Sequence, residues 1–133
     1  MIEMVLITED DAFATAADAL ASDALTIRRV NPEDAVVIGR RDRPGILAID
    51  VDSVRYARSL IGAVSLTTTS IIVAVSSEAW PGSDAAFAWH RTGADAVLPK
   101  PSGPASPTLT GADRDAYARW LVDLVTPSQD GAA

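Results

Sequence analysis

Short apolar runs alternate along this chain with longer stretches in which apolar residues recur at helical spacing. The runs lie at residues 4–7, 25–30, 46–49, 71–75 and 96–98. Each has the length of a strand, and the run at residues 4–7 has the composition of a strand that is buried on both faces. Strands that alternate with amphipathic helices are typical of an α/β domain with a parallel sheet. The pattern therefore predicts five strands that alternate with five helices.

The stretches between and after these runs predict the helices. The first helix covers roughly residues 12–22, the second is brief, and the last covers roughly residues 111–125. Gly93 is expected to end the fourth helix as a left-handed cap. The expected N-terminal caps are Asn31 for the second helix, Asp52 or Ser53 for the third, and Ser83 or Asp84 for the fourth.

The length of the chain, 133 residues, predicts a single domain over residues 1–125. Residues 102–110 are rich in Pro and Ser and are expected to form a loop before the last helix, and residues 126–133 a disordered tail. The hydrophobic fraction of 48% is too high for a disordered chain. There is no cysteine and one histidine, His90, which excludes disulfide scaffolds and multi-histidine metal sites and makes a Ser-His-Asp triad improbable.

The net charge of −7 disfavours direct binding to nucleic acid and favours cations as partners. No stretch approaches the ~20 apolar residues of a membrane helix, and the N-terminus has no basic region of a signal peptide. We therefore expect a cytoplasmic protein that does not bind a membrane. Five arginines are expected to form a solvated, partly salt-bridged face around the second strand and helix: Arg28, Arg29, Arg40, Arg41 and Arg43.

Several side chains with chemical potential follow the strands directly. Ligands of an open parallel α/β sheet bind at the carboxyl ends of its strands. The residues at those ends are Glu9, Asp10, Asp50, Asp52, Ser76 and Lys100. Clustered carboxylates repel one another, and Mg²⁺ is the usual compensating ion. Each acidic group alone could equally be the solvated cap of a helix, but their joint placement favours a site.

Four segments resemble the receiver domain of bacterial two-component response regulators. They are VLITEDD at residues 5–11, ILAID at 46–50, IVAVSS at 72–77 and GADAVLPKP at 93–101. The resemblance covers about residues 3–101, and its last segment is the most specific. It implies a flavodoxin-like (βα)5 fold, a doubly wound parallel sheet with strand order 2-1-3-4-5.

The resemblance also implies a role for each residue of the site. Asp50 would accept a phosphoryl group from a histidine kinase or a phosphotransfer protein. Glu9, Asp10, Asp50 and the backbone carbonyl of Asp52 would bind Mg²⁺. Ser76 and Lys100 would contact the phosphoryl group, and the bond between Lys100 and Pro101 would be a candidate cis peptide. The chain would then be a signalling domain rather than an enzyme, with output through a downstream protein partner and possible homodimers.

The sequence departs from the family pattern at several places, one of which is a slightly longer stretch between Ser76 and Gly93. The connection after Asp50 is short, so that the third helix is expected to begin almost at once, at Ser53 to Arg55. Val97 stands where the family has a switch aromatic, and Trp80 is our candidate to replace that aromatic. The Pro- and Ser-rich stretch before the last helix is a further difference.

Two other functions are compatible with these residues. The first is a receiver-like interaction module that is not phosphorylated, which the short connection and Val97 favour. The second is a phosphatase of the haloacid-dehalogenase type, because Asp50 and Asp52 also form a DxD motif after a strand. In that enzyme Glu9 and Asp10 would have no role.

Overall fold

Five strands and four α-helices alternate along the part of the chain that the structure, a computed structural model, describes: residues 2–18, 21, 23, 25–77 and 83–99. The strands are β1 (Ile2–Ile7), β2 (Leu25–Val30), β3 (Ile46–Asp50), β4 (Ile71–Ser76) and β5 (Ala96–Pro99). The helices are α1 (Asp11–Asp18), α2 (Ala35–Arg41), α3 (Ala57–Ser65) and α4 (Asp84–Thr92). One turn of 3-10 helix, Pro32–Asp34, leads into α2.

The strands form one parallel sheet in the order β2-β1-β3-β4-β5. This order confirms the predicted doubly wound, flavodoxin-like topology. Because β1 and β3 are central neighbours, their carboxyl ends lie side by side. The register of β1 on β3 pairs Ile7 with Ile49, so the residues that follow each, Thr8 and Asp50, are next to one another.

The core lies on both faces of the sheet, since successive side chains of a strand point to opposite faces. On β3, Leu47 and Ile49 belong to the cluster that packs against α2, α3 and α4. Ile46 and Ala48 belong to the second cluster, which includes Ala17 of α1. Continuous apolar strands of this kind are expected where both faces are covered.

The predicted ends of α4 are confirmed. Ser83 is the N-cap, and its hydroxyl accepts a hydrogen bond from the amide of Ala86 at 3.1 Å. Gly93 ends the helix with a φ of +132°, a conformation that glycine adopts without a steric penalty. Gly93 donates to the carbonyls of Trp89 and His90, which would otherwise lack partners at the helix end.

The predicted start of the third helix was wrong. Helix α3 begins at Ala57, after a turn over residues 51–56, and its N-cap is Tyr56, whose side chain makes no capping bond. The side chains of Asp52 and Ser53, which were expected to cap it, bind other partners across the sheet edge. The turn after Asp50 is therefore longer than the pattern indicated.

Four predictions lie outside the described residues: the loop over residues 102–110, the last helix, the tail, and the positions of Trp80, Lys100 and Pro101. Among the described helices, none has the length and apolar character needed to cross a membrane.

Candidate functional site

Asp50 is the centre of the polar groups at the carboxyl edge of the sheet. It is the last residue of β3 and is 0% exposed, surrounded by the ends of β1 and β4. A buried carboxylate is costly unless hydrogen bonds or charges compensate it. The compensation that the described residues show is a set of hydrogen bonds from nearby hydroxyl and amide groups.

Two hydroxyl groups donate to the same oxygen of Asp50. Thr8 Oγ1 donates to Oδ2 at 2.7 Å, and Ser53 Oγ donates to Oδ2 at 2.8 Å. The other oxygen, Oδ1, accepts a bond from the backbone amide of Asp52 at 3.1 Å. Bonds of this length to an ionised acceptor are roughly twice as strong as bonds between neutral groups. We refer to the two hydroxyl groups of Thr8 and Ser53 as the hydroxyl clamp.

Backbone amides fix the direction of both hydroxyl groups of the clamp. The amide of Asp10 donates to Thr8 Oγ1 at 3.0 Å, and the amide of Glu9 donates to Ser53 Oγ at 3.0 Å. Each hydroxyl oxygen therefore accepts from an amide while its single hydrogen goes to Asp50. The backbone amides that follow β1 thus orient both hydroxyl groups of the clamp.

The turn after Asp50 places Ser53 for this contact. The amides of Ser53 and Val54 both donate to the carbonyl of Asp50, at 3.3 and 3.0 Å. The amide of Val51 donates to the carbonyl of Val75 at 3.0 Å, which continues the pairing of β3 with β4. The chain consequently folds back over the end of β3, and the Ser53 side chain returns to the carboxylate.

Arg29 of β2 contacts Thr8, one of the two residues of the hydroxyl clamp. Its guanidinium donates to the carbonyl of Thr8 through Nε at 3.3 Å and through Nη2 at 3.1 Å. Nη1 forms an ion pair with Asp11 at 2.7 Å. The sequence predicted that Arg29 would lie on a solvated, partly salt-bridged face. In the structure, Arg29 also contacts Thr8, the residue whose hydroxyl group donates to the buried carboxylate of Asp50.

The two acidic residues after β1 have different positions. Glu9 is exposed. Asp10 caps α1, because its Oδ1 accepts a hydrogen bond from the amide of Phe13 at 3.0 Å. Asp10 therefore has the helix-capping role that was expected as the alternative for each acidic group taken alone.

Asp52 connects the turn after β3 to the end of β4. Its Oδ2 accepts from the amide of Ser77 at 2.8 Å, and its Oδ1 accepts from the hydroxyl of Ser76 at 3.4 Å. Ser76 is buried at the end of β4, on the strand next to Asp50. The hydroxyl that was predicted to contact a phosphoryl group is therefore bonded to Asp52.

Two acidic residues of the predicted magnesium site, Asp10 and Asp50, accept hydrogen bonds from protein groups in the structure. No three histidine, cysteine, aspartate or glutamate side chains among them lie close enough together to hold a metal ion. Both oxygens of Asp50 accept hydrogen bonds from hydroxyl or amide groups, and Oδ1 of Asp10 is used in capping. Magnesium binding by Glu9, Asp10, Asp50 and Asp52 remains a prediction that these contacts do not test.

Three residues of this site were not predicted from the sequence: Thr8, Ser53 and Arg29. Thr8 directly precedes the acidic pair, and Ser53 follows Asp50 by three residues. The sequence did hold an indication of the clamp, because both residues carry a hydroxyl group and lie next to acidic residues at the end of a strand. It was missed because the candidates were the acids at the strand ends together with Ser76 and Lys100, and Thr8 and Ser53 were not considered as partners of Asp50.

Comparisons with known proteins relate this geometry to a fold. No protein-family model and no curated protein matches the chain. Solved structures do match it. The response regulator domain of CheB from Thermotoga maritima is 16% identical, with a TM-score of 0.68, and the match covers 94% of this chain and 93% of that one.

Two further structures show the same likeness. A structure of the P1 domain of CheA3 in complex with CheY6 from R. sphaeroides matches with a TM-score of 0.65 and 20% identity, over 92% of this chain and 97% of that one. A response regulator protein from Burkholderia pseudomallei, with a phosphorylated aspartic acid, calcium ion and citrate, matches with a TM-score of 0.62 and 19% identity, over 92% and 75%. The chain therefore has the fold of response-regulator receiver domains.

Proposed function

We propose that the chain is a receiver of two-component signalling that accepts a phosphoryl group on Asp50. The observation that carries the proposal is the place of Asp50, which is buried at the carboxyl end of the central strand β3, where open α/β sheets bind ligands. The fold supports it, as does the phosphorylated aspartic acid of the structurally similar protein from Burkholderia pseudomallei.

The reaction needs an oxygen atom that accepts the phosphoryl group and hydrogen-bond donors or cations that stabilise the charge on the phosphoryl oxygens. One carboxylate oxygen of Asp50 attacks the phosphorus of a phosphohistidine, an O–P bond forms, and the P–N bond breaks. The electron pair of the P–N bond returns to the imidazole nitrogen of the donor histidine. Phosphoryl transfer depends on positioning and on the stabilisation of charge on the equatorial oxygens. The hydroxyl of Ser76 is a candidate donor, and the same role for Lys100 stays a prediction.

The partners of this reaction follow from the same proposal. We expect the donor to be a histidine kinase or a phosphotransfer protein, because one similar structure pairs the P1 domain of CheA3 with CheY6. Output would pass to a downstream protein through surface contacts. A second copy of this chain is the other partner that we propose, and sedimentation measures whether a homodimer forms.

Labelling with acetyl phosphate tests the acceptor. The wild-type chain is expected to gain the mass of one phosphoryl group, measured on the intact protein, because acetate leaves as the O–P bond to Asp50 forms. Asp50→Asn should abolish the gain. Asp84→Asn, which changes an exposed acid in the first turn of α4, is the matched control and should label like wild type. Labelling of Asp50→Asn would contradict the proposal.

The magnesium prediction has its own arms in this assay. Labelling is compared in a buffer with magnesium chloride and in a buffer with a chelator. If the four predicted ligands bind the ion, labelling should be faster with magnesium, because a cation neutralises the incoming phosphate. Equal rates in the two buffers would contradict the prediction.

A receiver-like interaction module that is not phosphorylated is the second candidate. The hydrogen bonds that Thr8, Ser53 and Asp52 donate to Asp50 favour it, because a carboxylate held in this way is a weaker nucleophile. An unchanged mass of the wild-type chain would support this candidate. Turnover of many small phosphoesters would instead indicate the phosphatase.

A further inference from the structure

We propose that the hydroxyl clamp of Thr8 and Ser53 restrains Asp50 and sets how fast this residue accepts a phosphoryl group. The inference rests on the proposed function and assigns a positioning role to two residues at the site. The clamp is defined by two contacts to the same atom, from Thr8 Oγ1 at 2.7 Å and from Ser53 Oγ at 2.8 Å to Asp50 Oδ2.

The clamp stabilises the reactant more than the product. In the resting protein both hydroxyl groups donate to an ionised carboxylate. After phosphorylation, one Asp50 oxygen carries the phosphoryl group and the other becomes a neutral carbonyl oxygen. Hydrogen bonds to a charged acceptor are stronger than bonds to a neutral one. Interactions that are stronger in the ground state than in the transition state slow a reaction.

Groups other than Asp50 also bind the two residues of the clamp, so the hydroxyl groups do not move freely when the carboxylate loses its charge. The amides of Glu9 and Asp10 hold the two hydroxyl oxygens, and Arg29 holds the carbonyl of Thr8. The Oγ atoms of Thr8 and Ser53 are 3.1 Å apart, which keeps both near the same carboxylate oxygen. A hydroxyl group that turned away from Asp50 could donate to the oxygen of the other hydroxyl group, so it would stay within the clamp.

Removal of either hydroxyl group is therefore expected to accelerate labelling. Thr8→Val keeps the shape of the side chain, and Ser53→Ala removes one oxygen atom. Each variant should label with acetyl phosphate about three- to tenfold faster than wild type, the difference between a hydrogen bond to a charged and to a neutral acceptor. Thr8→Ser and Ser53→Thr restore a hydroxyl group and should return the rate towards that of wild type.

The outcomes separate the clamp from the acceptor. Faster labelling of both variants, including labelling where wild type shows none, supports the clamp. Labelling of wild type with equal or slower labelling of both variants overturns the clamp and leaves the acceptor function in place. Absence of labelling in wild type and in both variants overturns the acceptor function and the clamp with it.

Hydrogen exchange gives a readout that does not depend on labelling. The amide of Glu9 donates to Ser53 Oγ, so Ser53→Ala should increase the exchange rate of that amide while Ser53→Thr preserves its protection. The amide of Ala86, bonded to Ser83 on α4, is a control that neither variant should change. An unchanged rate at Glu9 in Ser53→Ala would show that Ser53 does not form the clamp in solution, and would overturn the proposal.

Discussion

Gly93 is a residue whose backbone leaves little choice of side chain. It follows α4 with a φ of +132°, which side chains other than that of glycine rarely tolerate. A Cβ atom at this position would also lie 2.9 Å from both Cβ and Oγ of Ser65, the last residue of α3. The close approach of the loop after α4 to the end of α3 therefore depends on the absence of a side chain.

Gly93→Ala should lower the free energy of unfolding by about 2–4 kcal/mol, the combined effect of an unfavourable backbone conformation and a steric clash. Gly62→Ala is the matched control. Gly62 lies inside α3, and an added Cβ would meet nothing within 4 Å. That variant should raise the free energy of unfolding by about 0.5–1 kcal/mol, because alanine favours the helix. Urea denaturation measures both, and equal values for the two variants would contradict this account of Gly93.

Helix α3 shows which features of an element the sequence could and could not predict. Val54, Ala57, Ile61 and Val64 recur in the sequence at helical spacing, which predicts one buried face, and all four are buried in the structure. The face was predictable because helical spacing reports which side is buried. The start was not. A polar side chain before a helix either caps it or binds elsewhere, and local sequence does not distinguish the two.

The strands were predicted more closely than the helices. The predicted run at 46–49 becomes β3 (Ile46–Asp50), and the run at 71–75 becomes β4 (Ile71–Ser76). Runs of β-branched residues bounded by polar ones mark buried strands clearly, whatever the partners. Strand order was reached by a different route, from the resemblance to a known fold.

At the scale of the whole molecule, the register of the sheet decides which residues meet at the site. Parallel strands bring the ends of β1, β3 and β4 to one edge, although these ends are far apart along the chain. That much was predictable from the alternating pattern. The pairing of Ile7 with Ile49 then places Thr8 beside Asp50. A shift of one residue would have presented another side chain, and no local pattern fixes the register to that accuracy.

The same sheet carries both halves of the core, which predicts a shared response to changes on either face. Ile46 and Ile49 are both 0% exposed on β3 and point to opposite clusters. Ile46→Val and Ile49→Val should each lower the free energy of unfolding by about 0.5–1.5 kcal/mol, because each removes one buried methyl group without changing strand propensity. For each variant, the urea midpoint measured by circular dichroism should shift by the same amount as the midpoint measured by hydrogen exchange. Agreement of the two probes is expected of one cooperative unit.

Val37→Ala is the surface control for this pair. Val37 is 42% exposed on α2, and its truncation should change the free energy of unfolding by less than about 0.5 kcal/mol. If the variant on one face shifted the transition seen by one probe and left the other probe unchanged, the two clusters would unfold separately. The sheet would then not couple them. In that case the Asp50 site, built from β1, β3 and the turn after β3, would depend on the stability of each cluster independently, and a destabilised face would alter the clamp without unfolding the chain.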